Sequence, residues 1–180
     1  MKNVNEKLSQ TSTSDRVAAL ILQEVQSKID IVLGDTIVIE FNPRNYDADL
    51  DNFCKEMIEQ CEYAESKSNN DDILLCSNVL KANLYGCWSK PFGVRGTHPK
   101  AKECYEKALL YAKNNEEESE IRYRYALFAS LGFGGSKELA ISNYKRVIEL
   151  VGEDSDLGIM CNKEITQLEQ KKSGCFIATA

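Results

Sequence analysis

Apolar side chains recur at three- and four-residue intervals along most of this chain, the period of an amphipathic helix. The first run is Val17, Leu20, Ile21, Val25, Ile29 and Val32. It begins after Thr13 or Ser14, either of which can cap a helix whose first turn holds Asp15, and Gly34 stops it. Thr36-Ile-Val-Ile-Glu-Phe41 follows, the one stretch rich in β-branched residues. A lone strand leaves backbone groups unpaired. This segment therefore either pairs with a second copy of the chain, giving a homodimer through the N-terminal segment, or lies extended over helices.

After the break at Asn42-Pro43, a helix from Ala48 to Lys67 lines up Leu50, Phe53, Met57, Ile58, Cys61 and Ala64. Asn69-Asn70-Asp71-Asp72 is a polar turn that supplies a cap for the next helix, Ile73 to Trp88. That helix is apolar nearly all round and is expected to be the most buried. A loop from Ser89 to Pro99 leads to four more helices near 99–113, 116–131, 136–151 and 155–171, with Ser136 capping the third. The pattern predicts an all-α chain in four parts. These are a flexible N-terminus (1–13), N-terminal helices with a short extended segment near 36–41 (14–70), an antiparallel helix-turn-helix repeat array (71–171) and a C-terminal tail (172–180).

The repeat rests on two runs. Ala101, Tyr105, Ala108 and Leu109 align with Ala140, Tyr144, Val147 and Ile148, a constant offset of 39 residues. A small residue lets a paired helix approach, and the tyrosine fills the space beside it; stacking such pairs buries faces that neither could bury alone. At these residues the sequence resembles the tetratricopeptide superfamily, and the long offset points to the related Sel-like repeats. Gly93-Val94-Arg95-Gly96 leading into Lys100-Ala101, then Tyr105-Glu106-Lys107-Ala108, is similar to the glycine–valine turn and aromatic–x–Lys–Ala segment of those repeats. The second copy is looser, with Leu139 and Val147 where lysine and alanine are usual. The resemblance covers about residues 73–170 and implies a helical array that holds a partner protein or peptide.

Composition narrows the possibilities. A net charge of −6 over 180 residues speaks against a nucleic-acid footprint, which needs a clustered basic face. The N-terminus lacks the apolar run of a secretory signal, and no stretch is long and apolar enough to span a bilayer. Seven cysteines, an odd number, fit free thiols in a reducing cytoplasm. No Cys-x-x-Cys occurs and His98 is the single histidine, so neither a metal site nor a cofactor is expected. Gly132-Phe133-Gly134-Gly135-Ser136-Lys137 lacks the spacing of a phosphate loop and reads as an interhelical turn. His98 reads as a loop residue with no acid or nucleophile near it in sequence, and Glu116–Glu118 as dipole-favoured carboxylates at a helix start. No catalytic constellation is expected.

The tail differs from the usual polar terminus. Cys175-Phe176-Ile177-Ala178-Thr179-Ala180 is apolar and follows the helix-breaking pair Ser173-Gly174. It resembles the CFI-box, a short C-terminal element of prokaryotic proteins; the alanine, aromatic and glycine that usually follow have no counterpart after Ala180. The resemblance implies a prokaryotic host and an appended docking or processing tag, while a plain hydrophobic cap on the last helix pair stays open. The sequence thus points to a non-enzymatic adaptor or scaffold, with Asn83, Tyr123, Cys175, Phe176 and Ile177 as the candidate partner-binding residues. The alternative is a tagged partner or substrate of a separate enzyme, recognised through the tail.

Overall fold

The computed structural model describes residues 12–33, 48–88, 97–130 and 136–170. Every element among them is an α-helix, which makes the fold all-α. In chain order these are α1 (Thr13–Leu33), α2 (Ala48–Lys67), α3 (Asp71–Trp88), α4 (Thr97–Tyr111), α5 (Asn115–Ser130), α6 (Lys137–Val151) and α7 (Asp156–Gln170). The strand-like run 36–41 and the tail lie outside the described residues. The chain divides into two compact units, 1–111 and 112–180, each described by itself.

In the first unit, consecutive helices pack on one another and α1 also touches α3. The helix starts follow from local hydrogen bonding. Ser12, not Thr13 or Ser14, caps α1, its Oγ accepting from Asp15 N at 3.1 Å. Asn70 caps α3 through Oδ1, which accepts from Asp72 N at 2.9 Å. Ser68 Oγ donates to the Asp15 carboxylate, tying the end of α2 to the start of α1 and holding that carboxyl below its ordinary range. α4 begins at Thr97, so residue 98 lies in its first turn and not in a loop; Pro99 is tolerated there because first-turn N–H groups have no intrahelical acceptor.

α1 buries Ala18, Leu22, Val25 and Ile29, while α2 buries Cys54, Met57, Ile58, Cys61 and Ala64. α3 is enclosed on several sides, as its nearly continuous apolar character predicts. Its core residues Leu80, Ala82, Leu84 and Tyr85 are joined there by Ser77, Asn78 and Lys81. Three polar residues inside an apolar helix need partners, since an unpaired buried polar group is costly. Lys81 Nζ meets Glu65 Oε1 at 2.6 Å, and Ser77 Oγ donates to the same oxygen at 2.8 Å.

The second unit is built on α6, which packs against both α5 and α7. Its core joins Ala126 and Ala129 of α5, Ala140, Tyr144 and Val147 of α6, and Cys161, Ile165 and Leu168 of α7. Ile121, Tyr125 and Phe128 lie on another side of α5 and are buried as well. Asn114 caps α5 through Oδ1, accepting from Glu117 N at 2.9 Å, and Glu117 reaches back to Lys113 N at 2.8 Å. Ser136 caps α6, accepting from Leu139 N at 3.1 Å as the sequence predicts. Gly152 ends α6 at φ +89°, a region that glycine occupies without a Cβ clash. Ser155 then caps α7, accepting from Gly158 N at 3.0 Å.

Candidate partner-binding surface

The two sequence runs 39 residues apart fold into the second helices of two hairpins, α3–α4 and α5–α6. Ala101, Cys104, Tyr105 and Ala108 are buried on α4; Ala140, Asn143, Tyr144 and Val147, each 39 residues later, are buried on α6. The first helices agree at a different offset. Ser77, Lys81, Ala82, Leu84 and Tyr85 of α3 are matched, 44 residues on, by buried Ile121, Tyr125, Ala126, Phe128 and Ala129 of α5. The first helices thus share positions of burial while their chemistry diverges, which is why only the second-helix runs align by residue type.

Asn83 and Tyr123, the candidate contact residues on the helices, both turn out to be partly engaged within the fold. Asn83 is half-buried on α3, and its Oδ1 accepts from the Tyr105 hydroxyl at 2.9 Å. That bond joins α3 to α4 and takes up the acceptor of the side chain. Tyr123 is half-buried on α5, its ring 6.0 Å from that of Tyr144 and inclined at 59°. This tilted pairing suits the aromatic quadrupoles. Burial raises the Tyr123 phenol above its ordinary pKa. One side of Tyr123 therefore seals the core and the other faces outward. Cys175, Phe176 and Ile177 lie outside the described residues.

A charged network joins α5 to α6. Glu118 Oε1 accepts from Arg122 Nε at 2.7 Å and from Arg146 Nε at 3.2 Å, joining α5 to α6. Arg122 also donates to Asn143 Oδ1 at 3.1 Å, and Arg146 to Glu149 Oε2 at 3.0 Å. The hydrogen bond from Arg122, helped by Arg146, holds the Glu118 carboxyl below its usual range. The carboxylate thus stays ionised at neutral pH and fixes both guanidinium groups.

The first unit holds its own polar group of Glu65, Ser77 and Lys81, with the thiols of Cys61 and Cys104 in its electrostatic reach. Burial pushes the Cys61 thiol up to about 12 and raises that of Cys104. Burial likewise raises Cys161 in the second unit to about 11. Such thiols are protonated at neutral pH and are poor nucleophiles, since the thiolate is the reactive form. Cys54, Cys61, Cys104 and Cys161 are all buried and pack as small apolar side chains. Among the described residues no three His, Cys, Asp or Glu side chains gather in a group able to hold a metal ion, and no helix is long and apolar enough to cross a membrane.

Neither polar network stands out from the sequence. The one signal for the first is Lys81, the single basic residue of α3, which calls for a carboxylate such as Glu65 across the turn. The second offers no comparable signal, because Arg122, Arg146 and Glu118 all sit among other charges on amphipathic helices. Comparison with known proteins found no matching family model, no matching curated protein and no matching solved structure.

Proposed function

We propose that this chain is a non-enzymatic adaptor or scaffold that binds another protein or peptide through its helical hairpins, through its C-terminal tail, or through both. The observation that carries this reading is the burial register shared by α4 and α6 at a 39-residue offset. Repetition of one hairpin in a chain is how repeat proteins build an extended surface for a partner, and the residues concerned are those that resemble tetratricopeptide and Sel-like repeats. On this reading Tyr123, paired with Tyr144, supplies an aromatic contact, and Arg122 and Arg146, fixed by Glu118, supply polar contacts on the same helix pair. Aromatic and arginine anchors of this kind dominate protein interfaces. The partner is a protein and not nucleic acid, in keeping with the acidic net charge of −6.

A second reading draws on the likeness of Cys175–Ala180 to the CFI-box. The chain would then be the tagged partner or substrate of a separate enzyme, which recognises Cys175, Phe176 and Ile177. Quantitative affinity purification from the native host separates the two, using the full chain, the chain lacking 175–180 and the Tyr123→Ala variant. Loss of a specific partner with Tyr123→Ala favours the helical surface, and loss only with the truncation favours the tail. A full chain that enriches nothing over an unrelated helical bait ends both readings.

A further inference from the structure

α1 turns one apolar face into the first unit and carries two exposed aliphatic side chains on the opposite side. Ala18, Leu22, Val25 and Ile29 point into the first unit, while Leu20 is 62% and Ile31 81% exposed on the opposite side. Leu20 and Ile31 are eleven residues apart, close to three helical turns, so they share one stripe at a separation of about 16 Å. Between them on that stripe lie Glu24, Ser27 and Lys28, with Lys28 Nζ 2.9 Å from Glu24 Oε1.

We infer that this stripe is a self-association surface, on which α1 of a second copy of the chain packs antiparallel. The order of side chains is complementary to itself in that arrangement alone. With a two-fold axis passing between Glu24 and Lys28, Leu20 of each copy meets Ile31 of the other. Glu24 of each copy faces Ser27 and Lys28 of the other. The four central charges alternate in sign and sum to zero, and Ser27 is small enough for the helices to approach at the axis. Each contact occurs twice, as an isologous interface requires. A parallel pairing would instead set Glu24 against Glu24 and Lys28 against Lys28. A single helix pair buries less than the roughly 1,600 Å² of a standard interface, so the dimer dissociates on dilution. The inference stands apart from the proposed adaptor role, because no residue assigned to partner binding lies on α1.

Sedimentation equilibrium of the full chain in reductant, over a series of protein concentrations, tests it. The expected result is a monomer–dimer equilibrium that Leu20→Glu and Ile31→Glu each abolish. Both side chains are exposed, so circular dichroism and the melting transition should stay as in the parent chain. Glu24→Lys should weaken association roughly tenfold, about 1.4 kcal/mol, by setting like charges together. Adding Lys28→Glu to it should restore association, since the swapped pair is again complementary across the axis. A monomer at every concentration overturns the inference. So does a dimer indifferent to Leu20→Glu and Ile31→Glu, or a charge swap that fails to restore what Glu24→Lys removes.

Discussion

Tyr105 and Tyr144 occupy matching positions on α4 and α6, and both are almost wholly buried, yet their hydroxyls are placed differently. Tyr105 donates to Asn83 Oδ1 at 2.9 Å. The Tyr144 hydroxyl has no hydrogen-bond partner among the described residues; Ser130 stands beside it but donates instead to Leu127 O at 2.7 Å. Removing a bonded hydroxyl strands its partner, whereas removing an unbonded buried one relieves a desolvation penalty. Tyr105→Phe should therefore cost about 0.5–1.5 kcal/mol, while Tyr144→Phe should be neutral or stabilising. Chemical denaturation of the two variants side by side checks the contrast, and equal losses would refute it. Gly158 is the other residue whose role is set by one contact. Glycine in a helix is ordinarily improved by alanine, by about 1 kcal/mol. Here a Cβ would collide with Gly152 O and stand 3.1 Å from Glu153 O, both backbone atoms that cannot swing away. Gly158→Ala should thus destabilise by roughly 1–3 kcal/mol through overpacking. A raised melting temperature would show that the turn between α6 and α7 yields more easily than this geometry implies.

At the scale of elements, the hairpins turn on the small residues at their contacts. Ala101 and Ala140 are completely buried at matching places on α4 and α6. Replacing either with leucine inserts three carbons where the paired helix already lies, at a cost of roughly 1–3 kcal/mol each. Thermal melts in which both leucine variants match the parent would mean that α4 and α6 do not use these alanines to approach their neighbours. The same residues show what could be read from the sequence. The 39-residue match of small and aromatic positions on α4 and α6 was legible because both copies kept their residue types. The match between α3 and α5 was not, since Lys81 and Leu84 stand where Tyr125 and Phe128 do, and only their burial agrees. Helix centres are plain from periodicity, but the expected starts are displaced by one or two residues at every helix except α2. Capping depends on which of several adjacent hydroxyls reaches an N–H, and periodicity carries no information about that. The engagement of Asn83 by Tyr105 depends on how α4 packs, about which the sequence pattern carries no information. The exposure of Leu20 and Val32 is not legible either, because both fall at the same three- and four-residue spacing as the run that holds the buried Val25 and Ile29.

At the scale of the whole molecule, the apolar tail is expected to act apart from the helices. The second unit encloses its apolar centre with α5, α6 and α7, and Tyr144, Val147 and Cys161 are fully buried among them. Among the described residues this packing lies within α5, α6 and α7, and Ser173-Gly174 stands between α7 and the apolar hexapeptide in the sequence. Phe176 and Ile177 could each contribute roughly 1.5–3 kcal/mol if fully buried against a partner. Ordering the tail opposes this at roughly 1–2 kcal/mol per residue. Six residues alone should therefore bind weakly, and a strong complex needs a preformed groove on the partner or added contacts from the helical surface around Tyr123. Deleting residues 175–180 should leave helical content and melting temperature nearly unchanged while partner recovery falls sharply. Circular dichroism melts and quantitative pull-downs on the same two preparations test both halves at once. A large drop in melting temperature with the partner still retained would make the tail a hydrophobic cap on the last helix pair and end its candidacy as a docking element.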